Sequence, residues 1–224
     1  EQESAGPQPQ QAAPAAAPAA STPVNKKENG FWGNTITVIN NFANTVLNLT
    51  LKDVKIDVSH TGTENYINPE AGKAALSVQG DGNVEIELDG KNELKSGHFR
   101  AGLEKIISAG TLTLKDDKEP GSLKAEGGTG AAGIGGSENN GTNNITISGG
   151  TVKAIGGPQS AGIGGGNGGG GDHITITGGT VTAEGGPGGA GIGSGGEGDG
   201  DGGSHITITG GTVTAEGGTC GAGI

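Results

Sequence analysis

The stretch "HITITGGTVTAEGG", residues 173–186, decides the fold; it returns unchanged at 205–218 and, as "NITISGGTVKAIGG", at 144–157. Its leading isoleucines, Ile145, Ile174 and Ile206, are spaced by 29 and 32 residues. A second marker, Ala-Gly-Ile, ends at Ile134, Ile163, Ile192 and Ile224, with steps of 29, 29 and 32. The added length falls within "GSGGEGDGDGGSH" (193–205), so that segment is the variable loop of a regular unit. Self-similarity at a fixed period of this size marks a stacked-repeat architecture. Inside each unit Ile-x-Ile, Thr-Val-x-Ala and Ala-Gly-Ile are short pieces with the alternation of strands, bounded by glycine.

One such unit cannot bury its own apolar side. Stacked in register, the units bring Ile145, Ile174 and Ile206 into one column, and Ile147, Ile176 and Ile208 into a second. Val152, Val181 and Val213 form a third, and Ala154, Ala183 and Ala215 a slim fourth. The pattern predicts an all-β, right-handed parallel β-helix, with coils about 4.8 Å apart. Each coil buries several branched aliphatic side chains worth roughly 1.5–3 kcal/mol apiece, against the entropy of ordering its glycines. The pairs Gly149–Gly150, Gly178–Gly179 and Gly210–Gly211 follow the isoleucines, where the chain must turn and needs positive φ.

Upstream the template loosens but persists. "TLTLKDDKEPGSLKAEGGTGAAGI" (111–134) supplies Leu112 and Leu114 for the isoleucine pair, and Leu123 and Ala125 for Val and Ala. "NVEIELDGKNELKSGHFRAGL" (83–103) fits through Val84, Ile86 and Leu103; "NLTLKDVKIDV" (48–58) offers Leu49 and Leu51, then Val54, Ile56 and Val58. The expectation is about six coils over 31–224, irregular over 34–128 and regular over 129–224. Residues 1–30, a Pro/Ala/Gln tract, are expected to be an extended, disordered tether. Ile224 lies inside a marker with no cap after it, so the chain is expected to be a fragment of a longer array or to self-associate through that end.

Of 224 residues 51 are Gly, aromatics make up 2%, and the formal net charge is −11. The acidic balance disfavours nucleic acid, which needs a basic stripe, and docking on anionic membranes. No apolar run of about 18 residues is present to insert in a bilayer. Cys220, the single cysteine, rules out an internal disulfide framework. The start at Glu1 and the absence of Met lead us to expect that an initiating segment was removed; with the tether, this leads to a secreted or cell-surface location.

"LTLKDVKIDV" (49–58), "AALSVQGDGNVEIELDGKNELKSG" (74–97) and the tandem "AGIGG…ITITGGTVTAEGG" units resemble the β-helical carbohydrate-binding domain proteins of anaerobic gut and cellulolytic bacteria. The resemblance covers roughly residues 34–224. It implies a fold similar to that of pectate lyases, secretion or surface display, binding of plant polysaccharide, and calcium in some members. It carries no catalytic motif onto this chain.

The residues themselves argue against catalysis. A lyase-like site needs a carboxylate cluster and a nearby Arg, whereas Arg100 is the single arginine. Asp116 and Asp117 are adjacent and would face opposite sides of a strand. "GGEGDGDGG" (195–203) resembles a calcium nonapeptide, but Gly200 stands where Asp is needed; Glu197, Asp199 and Asp201 remain the candidate calcium ligands. His173 and His205 share a repeat position and are expected to stack, with Asn144 third in line and no carboxylate fixed nearby, as surface turn residues. Thr175, Thr177, Thr207 and Thr209 form an outward array that an ice-binding plane would also show, broken in the preceding unit by Ser148 and Lys153. The aromatics Phe31, Trp32, Phe42, Tyr66 and Phe99 all lie in the N-terminal half, which places the candidate sugar site at Tyr66, Phe99 and Arg100. A polyanionic sugar would meet the net negative charge and need bridging calcium. The expected function is a non-catalytic exported module binding a polysaccharide; the alternatives are a structural spacer, a lyase-like enzyme and an ice-binding solenoid.

Overall fold

The computed structural model describes residues 27, 29–65, 67–196 and 203–224, and all regular structure among them is strand. The tether expected over 1–30 falls almost wholly outside the described residues. Lys27 is described, and its Nζ donates to the carbonyl of Asp57 at 2.9 Å.

The strands follow one another in coils of three pieces. The first coil holds β1 (Ile36–Ile39), β2 (Val46–Lys52) and β3 (Lys55–Asp57). The second holds β4 (Leu76–Gln79) and the long β5 (Asn83–Lys95), which runs through a corner and serves two faces. Next come β6 (Leu103–Lys105), β7 (Leu112–Lys115) and β8 (Gly121–Glu126), then β9 (Ile134–Gly135), β10 (Thr142–Ile147) and β11 (Thr151–Ile155). β12 (Ile163–Gly164), β13 (Gly171–Ile176) and β14 (Thr180–Glu184) precede the last described set, β15 (Ile192–Gly193), β16 (Ser204–Ile208) and β17 (Thr212–Glu216). The first face stacks β1-β4-β6-β9-β12-β15, the second β2-β5-β7-β10-β13-β16, and the third β3-β5-β8-β11-β14-β17. The pairings along the first face and through the regular coils are parallel. The molecule is a parallel β-helix.

The register places like on like. Leu112, Ile145, Ile174 and Ile206 align on the second face, and Leu123, Val152, Val181 and Val213 on the third. Ile145, Ile147, Ile174 and Ile176 are fully buried. The first coil departs from expectation by one dyad. Leu47 and Leu49 pair with Val84 and Ile86, so they, and not Leu49 and Leu51, occupy the isoleucine positions. Leu51 lies opposite Leu88 at the corner instead.

Two glycines explain why the composition is so rich in this residue. Gly179 has φ +82° at the corner, and a Cβ there would lie 2.6 Å from the carbonyl oxygen of Gly150 one coil below. Gly162 has ordinary φ, but its Cβ would lie 2.6 Å from the backbone nitrogen of Glu184. The first needs glycine's conformational freedom, the second its lack of a side chain. Asn92 takes the inward position that Leu123 fills one coil on. Its amide donates to the carbonyls of Leu51, Asp89 and Ser122 while Oδ1 accepts the Val54 N–H at 2.9 Å. A buried polar side chain is tolerated there because each of its groups is satisfied. In the last described coil Ile208 is 41% exposed.

Candidate functional site

The first face is where the repeat is broken. In its regular coils β9, β12 and β15 are each Ile-Gly, flat and without a side chain at the outward position. In the earlier coils that position carries Thr37, Ser77 and Glu104, in register with one another and then with Gly135. The polar column therefore ends abruptly against bare backbone.

Arg100 lies in the turn before β6 and reaches over this column. Its Nη1 donates to Oε1 of Glu104 at 2.9 Å. The hydroxyl of Ser137, from the following coil, donates to the same oxygen at 2.6 Å and accepts the Ala101 N–H at 3.1 Å. The Glu104 side chain is 5% exposed, so this is a charge-assisted network with little water. Three adjoining depressions share Arg100. One of about 270 Å³ is walled by Pro69, Ala71, Phe99, Glu138 and Asn140. A narrower one of about 100 Å³ reaches Glu104, Lys105 and Ile106. A third, of about 250 Å³, passes over Thr37, Lys73, Ser77 and Gln79. Together they make a polar trough running across the first four coils.

Two groups in the trough are electrostatically altered. Lys105 is 2% exposed and takes the register position of the buried Val78. Burial pushes its amine down to about 8, with the negative charge of Asp81 opposing. Its Nζ donates to the Ile106 carbonyl at 2.9 Å and the Ser108 hydroxyl at 2.8 Å. Burial raises the carboxyl of Glu138 above its ordinary range. Phe99 has φ +65°, an unusual conformation for a bulky residue.

The structure brings Phe99 and Arg100 together at the trough, while Tyr66 lies outside the described residues. Glu197, Asp199 and Asp201, the expected calcium ligands, also lie outside them. Sequence reasoning missed Glu104, Lys105, Ser137 and Asn140. The available signal was Leu-Glu-Lys at 103–105 standing where later coils read Ile-Gly.

The third face offers a further depression of about 300 Å³ along Lys91, Lys124 and Lys153. Ion pairs run along this face: Lys55 with Glu93 at 3.2 Å, Lys95 with Glu126 at 3.4 Å and Lys153 with Glu184 at 2.7 Å. These are ladder contacts between coils. On the second face Asn48, Glu85, Thr113, Thr146, Thr175 and Thr207 form one outward column.

The histidine expectation needs a correction. His173 and His205 do stack, with centroids 4.5 Å apart and planes 14° from parallel. A carboxylate is nonetheless fixed beside them: Asp172 lies 2.7 Å from Nδ1 of His173 and 3.0 Å from Nδ1 of His205. Asp172 was overlooked because it adjoins His173 in sequence, and strand alternation would turn such neighbours apart. Both histidines have positive φ, +48° and +54°, which breaks the alternation.

Residues 145–167, 174–196 and 206–224 match the family described as Beta helix repeat. The match lies on three segments that make up less than half of the chain. The matched segments are the regular coils of the β-helix, and the trough at Arg100, Glu104 and Ser137 lies outside them. Among curated proteins and among solved structures nothing matches.

Proposed function

We propose that this β-helix is a non-catalytic, secreted or surface-displayed module that binds a neutral polysaccharide along the trough at Arg100. The observation that carries the reading is the string of three depressions across the first four coils. Their walls offer hydroxyl, amide and charged hydrogen-bonding groups beside one aromatic ring. A linear polyhydroxylated chain needs a long shallow site of that kind, with an aromatic surface for a sugar face and polar groups for its edges. Arg100 is already paired with Glu104, which lessens its own attraction for an anion. The chain as a whole is −11, which further disfavours polyuronates. Secretion is supported by the Pro/Ala tract at the N-terminus, the usual composition of a spacer.

The test is a panel of neutral glucans, mannans and xylans beside polygalacturonate, each with and without calcium. Binding of a neutral polymer, unaffected by chelator, is expected. Phe99→Gly removes the ring at a position where later coils hold Gly130 and Gly188 with positive φ, so the fold is kept. It should weaken binding at least about tenfold with no loss of thermal stability. Failure of every neutral polymer to bind would overturn the reading, and release of unsaturated oligosaccharides from polygalacturonate would replace it with lyase chemistry.

A further inference from the structure

We propose that Asp172, His173 and His205 form a binding site for a first-row transition-metal dication, spanning the last two described coils. The three residues each present a ligand atom within 4.8 Å of the others. The site is built by the register. Asp172 pairs with Ser204 and Ile174 with Ile206, so the backbone on both sides of each histidine is fixed. Both histidines adopt the left-handed conformation, which sends the two rings out in parallel. Both Nδ1 atoms converge on the carboxylate of Asp172, and the Ser204 hydroxyl donates to its Oδ1 at 2.6 Å, holding it in place.

The donor set selects the ion. Two imidazole nitrogens and one carboxylate oxygen suit zinc, copper(II) or nickel, with a fourth position left for water. Calcium and magnesium want more oxygen ligands than this. Binding exchanges the two Nδ1–H···Asp172 hydrogen bonds for metal bonds: each ring takes the tautomer with its proton on Nε2 and presents the Nδ1 lone pair to the ion. A single hydrogen-bonded His–Asp pair would need one ring. Here two rings from different coils share one carboxylate. The ion would tie β13 to β16 across one step of the stack. The site sits on the second face of the final coils, away from the trough, and does not rest on the glycan reading.

The test uses zinc as the probe on the full chain, by isothermal titration with metal analysis after dialysis. One ion per chain is expected, with a dissociation constant of roughly 10 µM and a rise in melting temperature on saturation. His173→Asn, His205→Asn and Asp172→Asn, each at an accessible side chain, should weaken binding at least about tenfold. His60→Asn and Cys220→Ser should leave it unchanged, and excess calcium should not displace the zinc. The proposal is overturned by an absence of saturable binding below about 1 mM, by binding that survives loss of both histidines, or by displacement with calcium.

Discussion

Single positions in this molecule are ruled by the backbone of the coil above or below. Phe99, Gln159 and Cys220 have φ of +65°, +62° and +67°, and Gly130 and Gly188 take their turn in the same column. The N–H of Phe99 donates to the carbonyl of Thr129, that of Gly130 to Pro158, and that of Gln159 to Pro187. Keeping a phenylalanine in a conformation that costs roughly 1–3 kcal/mol fits a site selected for something other than stability. The corner glycines make the opposite point. Gly179→Val would force a branched side chain to φ +82° against the Gly150 carbonyl, a cost of at least about 1–3 kcal/mol. Glu184→Ala removes a surface partner of Lys153, worth about 0–1 kcal/mol. Thermal melts should rank the valine variant clearly below the alanine one, and equal losses would overturn the corner assignment.

At the level of strands, β6 carries a charge that the fold accommodates at a cost. Lys105 lies with its amine pushed down to about 8, against 10.5 in the unfolded chain. Between these values the unfolded state holds a proton that the folded state has released, so stability rises with pH from about 8 to 10.5. Below about 8 both states are charged and the folded state bears the cost of burial. Lys105→Met should therefore melt higher than the parent at pH 7, and the gap should narrow towards pH 10.5; a constant gap would refute the burial of a charge. Strands such as β13 and β14 were fully legible in the sequence, since repeated Ile and Val leave a single register that buries them all. β2 was legible only in type. In "VLNLTLK" three leucines alternate, and a slip of two residues keeps every one inward. The corner at Leu51 decided the matter, and corners are not written in alternation. The Arg100–Glu104–Ser137 network was legible only as a break in the repeat at 103–105, because its members come from two coils and no period joins them. Asp172 shows a third way to miss a site, through a backbone conformation that puts sequence neighbours on one side.

For the molecule as a whole, stability should be a sum over coils and their interfaces, not a property of one centre. Removing residues 145–173 would join Asn144 to Ile174. Asn144 and His173 have φ of +55° and +48° at the same register position, so the junction meets a backbone that already fits. The shortened chain is expected to fold cooperatively, to melt at a lower temperature, and to keep the trough at Arg100. It loses Asp172 and His173, and with them the zinc affinity. Circular dichroism melts together with zinc titration would check this, and an unfolded product would show that the coils are not equivalent. Interchangeable coils also have a consequence in the gene. Near-identical repeats invite unequal recombination, and each such event adds or deletes a whole coil without disturbing the reading of the next. Copy number is then a heritable length setting, lengthening the regular stack in steps of about 4.8 Å while the trough residues, which lie outside the matched repeats, change separately.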